Sequence, residues 1–140
     1  MIRDEIIIEQ YDWHVHVYMV AAESDAQEIL TKLDKIGIKA SEYMRAERHL
    51  QKAFRDNTGM TYSNPDTRTS VMVIGRSSSE AETVNTFSHE LRHLADDLAE
   101  ACAIPLHGEE IAYLTGDVAC VLAGSLLRIV CDCPKCSSHE

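Results

Sequence analysis

His89, Glu90 and His93 stand in the pattern His-Glu-x-x-His, within Ser88-His89-Glu90-Leu91-Arg92-His93. On a helix, residues four apart lie one turn apart on the same face. Two imidazoles so placed can close on a single metal ion. The carboxylate beside the first then lies next to whatever water that ion holds. Two neutral nitrogen ligands, an open coordination position and an adjacent carboxylate are the parts a zinc-dependent hydrolase needs. The bland alternative is an exposed helix face with nothing bound, so the surrounding elements carry the argument.

Those elements begin with a helix. Ser79-Glu80-Ala81-Glu82 fits the Ser-x-x-Glu capping box, and Ser77 with Glu80 offers the same arrangement two residues earlier. Val84, Phe87, Leu91, Leu94 and Leu98 then recur at spacings of three and four, which makes one apolar stripe. At about 100° per residue, His89 and His93 fall roughly opposite the centre of that stripe, with Glu90 between them. The pair therefore faces solvent or a cleft closed by another element. Upstream, Ser70 to Gly75 reads as a short strand leading through a serine cluster into the helix. Val71, Met72, Val73 and Ile74 are the candidate strand for holding an extended substrate through free edge N–H and C=O groups. Downstream, Pro105 and Gly108 break the chain before a second helix, expected from near Glu109 through Val118 to about Ile129. A zinc site with three protein ligands needs a donor beyond the histidine pair, and it has to come from another element. Glu109, Glu110 and His107 cluster at the start of this second helix and are the candidates.

His89-Glu90-x-x-His93, a short break, and then Glu109-Glu110-Ile111-Ala112-Tyr113-Leu114-Thr115-Gly116 resemble the gluzincin branch of the zincin metallopeptidases. The pattern is most similar to small phage and mobile-element zincins and to ImmA/IrrE-type regulatory peptidases. Those carry H-E-x-x-H and then E-x-x-A on a following helix, often continuing as A-Y-L-x-G. The resemblance covers roughly Tyr62 to Gly124 and rests on the two motifs. It implies hydrolysis of a peptide or protein substrate, with one zinc ion held by His89, His93 and Glu109 and with Glu90 as general base and acid. Glu110 and His107 stay as alternatives for the third ligand. Some gluzincins place an acidic residue one turn after the ligand glutamate, where it orients the first histidine. Here that position is Tyr113, so the partner carboxylate must come from elsewhere. Asp97, one turn past His93, and Asp117 are candidates, with Asp96 reading more simply as a solvated residue. Tyr113 could itself donate a hydrogen bond to a developing oxyanion. The alternative function is a non-catalytic metal-binding module that uses the same site.

A chain of 140 residues suits one domain with a modest core. A net charge of −10 is poorly suited to non-specific binding of nucleic-acid phosphate, so no nucleic-acid partner is expected. Arg45, Arg48 and Lys52 sit at helical spacing and read as a solvated face. The N-terminus lacks the apolar segment of a signal peptide. The longest apolar stretch, Val118–Val130, contains Gly124, Ser125 and Arg128 and reads as a core helix, shorter than the ~20 residues that span a membrane. A cytoplasmic location without a membrane partner is the expectation. Of five cysteines, Cys102 and Cys120 read as small apolar helix residues. Cys131, Cys133 and Cys136 with His139 form either a second small metal knuckle or a reduced tail.

The remaining elements are two strands, Glu5–Glu9 and Trp13–Val20. In the second, Trp13, Val15, Val17 and Met19 alternate with His14, His16 and Tyr18. A helix opens at Ser24-x-x-Gln27, buries Ile29, Leu30, Leu33 and Ile36, and ends at Gly37. Another runs from about Ser41 to Arg55, with Tyr43, Met44, Leu50 and Phe54 inward, His49 on the surface and Asn57–Gly59 as its stop. Met60-Thr61-Tyr62 pairs with Arg68–Ile74 across Asn64-Pro65-Asp66-Thr67. The expected fold is α+β, a small antiparallel or mixed sheet packed on helices, with His-Glu-x-x-His on a central helix. The resemblance implies a minimal zincin-like domain over residues 1–130, followed by a Cys-rich tail over 131–140.

Overall fold

The computed structural model describes residues 1–130. The expected cluster of Cys131, Cys133, Cys136 and His139 lies outside the described residues. The elements run β1 (Ile2–Ile8), β2 (Trp13–Ala21), α1 (Ala26–Lys35), α2 (Ala40–Asp56), β3 (Gly59–Asn64), β4 (Thr69–Gly75), α3 (Glu80–Cys102) and α4 (Glu109–Val130). The fold is α+β, as expected. Among the described residues, four strands form a mixed sheet in the order β1-β2-β4-β3. β1 and β3 pair antiparallel with β2 and β4 respectively, while β2 and β4 pair parallel.

The alternation in β2 sorts the molecule into layers. Trp13, Val15, Val17 and Met19 are at most 1 % exposed, and with Met72 and Ile74 they meet the apolar faces of α3 and α4. On the opposite face Tyr18, Met60, Val71 and Val73 meet Ile29, Leu30 and Leu33 of α1 and Leu50 of α2. The sheet is thus sandwiched between two helical hairpins. β4 is buried on both faces and paired on both edges, which suits its continuous apolar run. This corrects the expectation for Val71, Met72, Val73 and Ile74. Their ladder groups are used by β2 and β3, so no free edge remains for a substrate, and the outer strand beside α3 is β3.

α3 starts as expected, with Ser79 as N-cap and its Oγ accepting from the Glu82 N–H at 3.2 Å. Phe87, Leu91, Leu94 and Leu98 are buried, whereas Val84 is 45 % exposed. In α2 the buried face is Ala46, Leu50 and Ala53, and Met44 points out at 61 % exposed. α1 is preceded by a 3-10 turn, and Asp25 rather than Ser24 holds its entrance by accepting from the Ala22 N–H. The β3–β4 turn forms at Asn64, whose Oδ1 accepts from the Asp66 N–H while Nδ2 donates to the Ile36 carbonyl. α4 exceeds the sequence expectation, since it is long and apolar enough, by length and composition, to cross a membrane. Its Ile111, Leu114, Val118 and Leu122 nevertheless bury against α3 and the sheet.

Candidate metal centre

A cavity of about 740 Å³ follows β3 between α2 and α3. α3 contributes His89, Glu90, His93 and Asp97 to it, and α2 contributes Arg45, His49 and Lys52. The two histidines reach this cavity because the leucines of α3 turn the other way, into the layer shared with α4.

The imidazoles converge. His89 Nε2 and His93 Nε2 are 3.1 Å apart, with the rings nearly perpendicular at 73°. Two nitrogens held about 2.0–2.1 Å from one tetrahedral ion would be roughly 3.3 Å apart. The spacing thus fits a shared ion, and without one it fits an N–H···N hydrogen bond between complementary tautomers. A ligand atom of Glu90 lies within 4.8 Å of both rings. Two imidazole nitrogens are donors suited to zinc and to similar divalent ions, and the Glu90 carboxylate stands beside them.

Glu90 is 3 % exposed. The Thr61 hydroxyl donates to its Oε1 at 3.1 Å. Burial pushes the Glu90 carboxyl above the usual carboxylate range, while Thr61 and then the two histidines pull it back. A desolvated carboxylate with a raised pKa is a stronger base than one in water, which suits proton abstraction.

Asp97 ends a chain of hydrogen bonds that crosses the sheet edge. Trp13 Nε1–H donates to Ser70 Oγ at 2.8 Å, Ser70 and Ser63 share a bond of 2.7 Å, and Ser63 Oγ donates to Asp97 Oδ2 at 2.6 Å. With the indole as the first donor, the Ser70 proton points to Ser63 and the Ser63 proton to the carboxylate. Trp13 and Ser70 are fully buried. Burial raises the Asp97 carboxyl, and Ser63 and His93 lower it. Ser70→Ala would leave a buried indole N–H unpaired, with an expected loss of about 1–3 kcal/mol in denaturant unfolding. An unchanged midpoint would mean the indole has another partner.

The structure brings together His89, Glu90, His93 and Asp97. It does not bring Glu109, Glu110, His107, Tyr113 or Asp117 to them, and none of these five lines the cavity. The cause is the face α4 presents. Its buried residues mate with Leu91, Leu94 and Leu98, on the side of α3 away from the histidines. Glu110 Oε1 instead accepts from the Tyr11 hydroxyl at 2.9 Å, and desolvation with that carboxylate pushes the Tyr11 phenol up to about 12. Tyr113 is 66 % exposed on the outer face of α4. Asp96 is tied to Arg92 at 2.8 Å, one turn back.

Thr61, Ser63 and Gly59 are site residues that the sequence reading did not single out. Their signal was the alternation in β3, where these small residues share one face and Met60 and Tyr62 the other. His49 is exposed, as expected; it also lines the cavity and bonds through Nδ1 to the Tyr62 hydroxyl at 2.8 Å. No family model, curated protein or solved structure matches the chain.

Proposed function

We propose that this protein is a metal-dependent peptide hydrolase, with zinc as the ion. The observation that carries the reading is the buried Glu90 carboxylate beside two converging imidazoles, in a cavity that follows a strand edge unpaired among the described residues. That edge is available in the right place. Gly75 N–H donates to the Thr58 carbonyl, and Gly59 lies opposite Ile74. By the alternation of an antiparallel ladder, Met60, Tyr62 and Asn64 bond to β4, and the N–H and C=O groups of Gly59, Thr61 and Ser63 point away from it. An extended peptide paired there would lie against Thr61, whose side chain holds Glu90.

His89 and His93 would hold the ion, which when bound would supply polarisation of the scissile carbonyl and a more acidic water. Glu90 takes the proton from the attacking water and passes it to the leaving amine. Thr61 fixes the carboxylate that moves this proton. Asp97, anchored by Ser63, is assigned the orientation of His93. Peptide or protein is the substrate class, and a cytoplasmic setting without nucleic-acid or membrane partners belongs to the same reading. The separation of Glu109, Glu110 and His107 from the histidine pair favours a second reading, a binding module that holds metal without turnover. The absence of His107 from the cavity lining speaks against that module being closed by a fourth ligand there.

Metal analysis after zinc reconstitution tests the assignment. Wild-type protein should hold one ion, His93→Ala should lose it, and Glu109→Ala should keep it. A wild-type protein that takes up no zinc would end the proposal. Loss of zinc from Glu109→Ala would give α4 a ligand role and restore the three-ligand pattern implied by the motif.

A further inference from the structure

We propose that the α2 side of this cavity is a subsite for an acidic side chain of the bound peptide, at a position next to the one at the histidine pair. The inference rests on the reading of the cavity as a peptide site and adds the substrate's charge.

The chain as a whole carries a net charge of −10. Against that background, α2 turns Arg45, His49 and Lys52 into the same cavity as His89 and His93. Their spacings of four and three put them on one helix face. Among the described residues neither Arg45 nor Lys52 has a carboxylate within ion-pair distance, while Arg3, Arg55 and Arg92 do. His49 is positioned by Tyr62 through Nδ1, which leaves Nε2 free of that bond. Glu42 lines the same wall, so the fixed charges of α2 in the cavity are two positive and one negative. The α3 wall bears the opposite sign, with Glu90, Asp97 and Glu100. The cavity is therefore polarised across the strand edge.

The pleat converts that polarity into a sequence preference. Side chains on β3 alternate, so Thr61 and Ser63 reach α3 and Tyr62 reaches His49 of α2. Directly opposed residues of paired strands share a face. A peptide residue opposite Thr61 faces Glu90 and the histidines. Its two neighbours face α2, where a carboxylate would meet Arg45 or Lys52. A guanidinium can grip a carboxylate with two parallel hydrogen bonds. A basic side chain at the same position would meet like charge.

The test uses short alanine-rich peptides, amidated at the C-terminus and carrying Glu, Gln or Lys at one position in turn. Binding is read by fluorescence anisotropy on zinc-loaded Glu90→Gln protein, and cleavage by wild-type protein is read separately. The Glu peptides should bind about fivefold or more tighter than their Gln counterparts at low salt, with the Lys peptides weakest and the differences shrinking in high salt. Arg45→Glu with Lys52→Glu should reverse the order, and Arg45→Gln with Lys52→Gln should flatten it. Removing the C-terminal amide should leave the preference in place, and a preference that follows the free terminus would overturn the side-chain assignment. Equal binding of Glu and Gln peptides, or an acidic preference that survives the charge reversal, would also overturn it. Cleavage without charge preference would sink the subsite and keep the hydrolase. Charge-selective binding without cleavage by wild-type protein would do the reverse.

Discussion

Glu90→Gln is expected to keep zinc and to lose peptide hydrolysis by about two to four orders of magnitude, the usual contribution of a positioned general base. The side-chain shape is conserved, and the amide oxygen can still accept from Thr61 in place of Oε1. What disappears is the ability to take a proton. The fold should not suffer, because Glu90 is 3 % exposed and burial disfavours its charged form. A neutral amide removes that desolvation cost, so the unfolding midpoint near neutral pH should stay level or rise. The measurements are metal content, unfolding and peptide cleavage on one preparation. Undiminished cleavage with full zinc would remove Glu90 from the role of base. Zinc binding by wild-type protein with no hydrolysis of any peptide would favour the binding module.

The parts of this site that were readable in the sequence are those set by local rules. The α3 helix, its Ser79 cap and its leucine stripe follow from spacing, and the spacing alone puts His89 and His93 on a face apart from the core. The alternation in β2 likewise names Trp13, Val15, Val17 and Met19 as buried, because a strand has a period of two. Pairing between distant segments follows no such rule. By its sequence β4 reads as a substrate edge, yet its parallel neighbour is β2, from which it is separated by two helices and a strand. The uninterrupted Val71-Met72-Val73-Ile74 run was itself the signature of a strand covered on both faces. Glu109 illustrates a second kind of limit. The helix that carries it was foreseen, but its placement depends on how α4 rotates and slides along α3, and Ile111, Leu114, Val118 and Leu122 settle that by burial. His49 is exposed, as its helix position implies, and only the placement of β3 and α3 beside it makes that surface the wall of a cavity.

Gly59→Ala is expected to destabilise the fold by about 1–3 kcal/mol, the cost of forcing a methyl into a packed site. It should also reduce hydrolysis by about a hundredfold while zinc is retained, since a catalytic group moved by ~1 Å loses that much. In the sequence Gly59 reads as part of the stop after α2, but Asn57 performs that task with a left-handed φ of 56°. The reason for a glycine is the approach of α3. A Cβ at this position would lie 2.5 Å from the Val73 carbonyl oxygen, 2.8 Å from Glu90 Cγ and 3.0 Å from Thr86 Cγ2. The carbonyl belongs to the ladder and cannot turn aside. Glu90 is held by Thr61, two residues along the same strand face. The strain is therefore relieved by shifting β3 against β4 and by moving α3 away from β3 with Glu90 on it, while His89 and His93 keep their mutual spacing on their own helix. Gly116→Ala is the matching control. A Cβ there meets nothing within 4 Å, and alanine in a helix interior should stabilise by about 0.5–1 kcal/mol. Opposite signs for the two variants in denaturant unfolding would support the tight β3–α3 contact. A Gly59→Ala protein as stable and as active as wild type would show that Glu90 does not depend on that contact for its position.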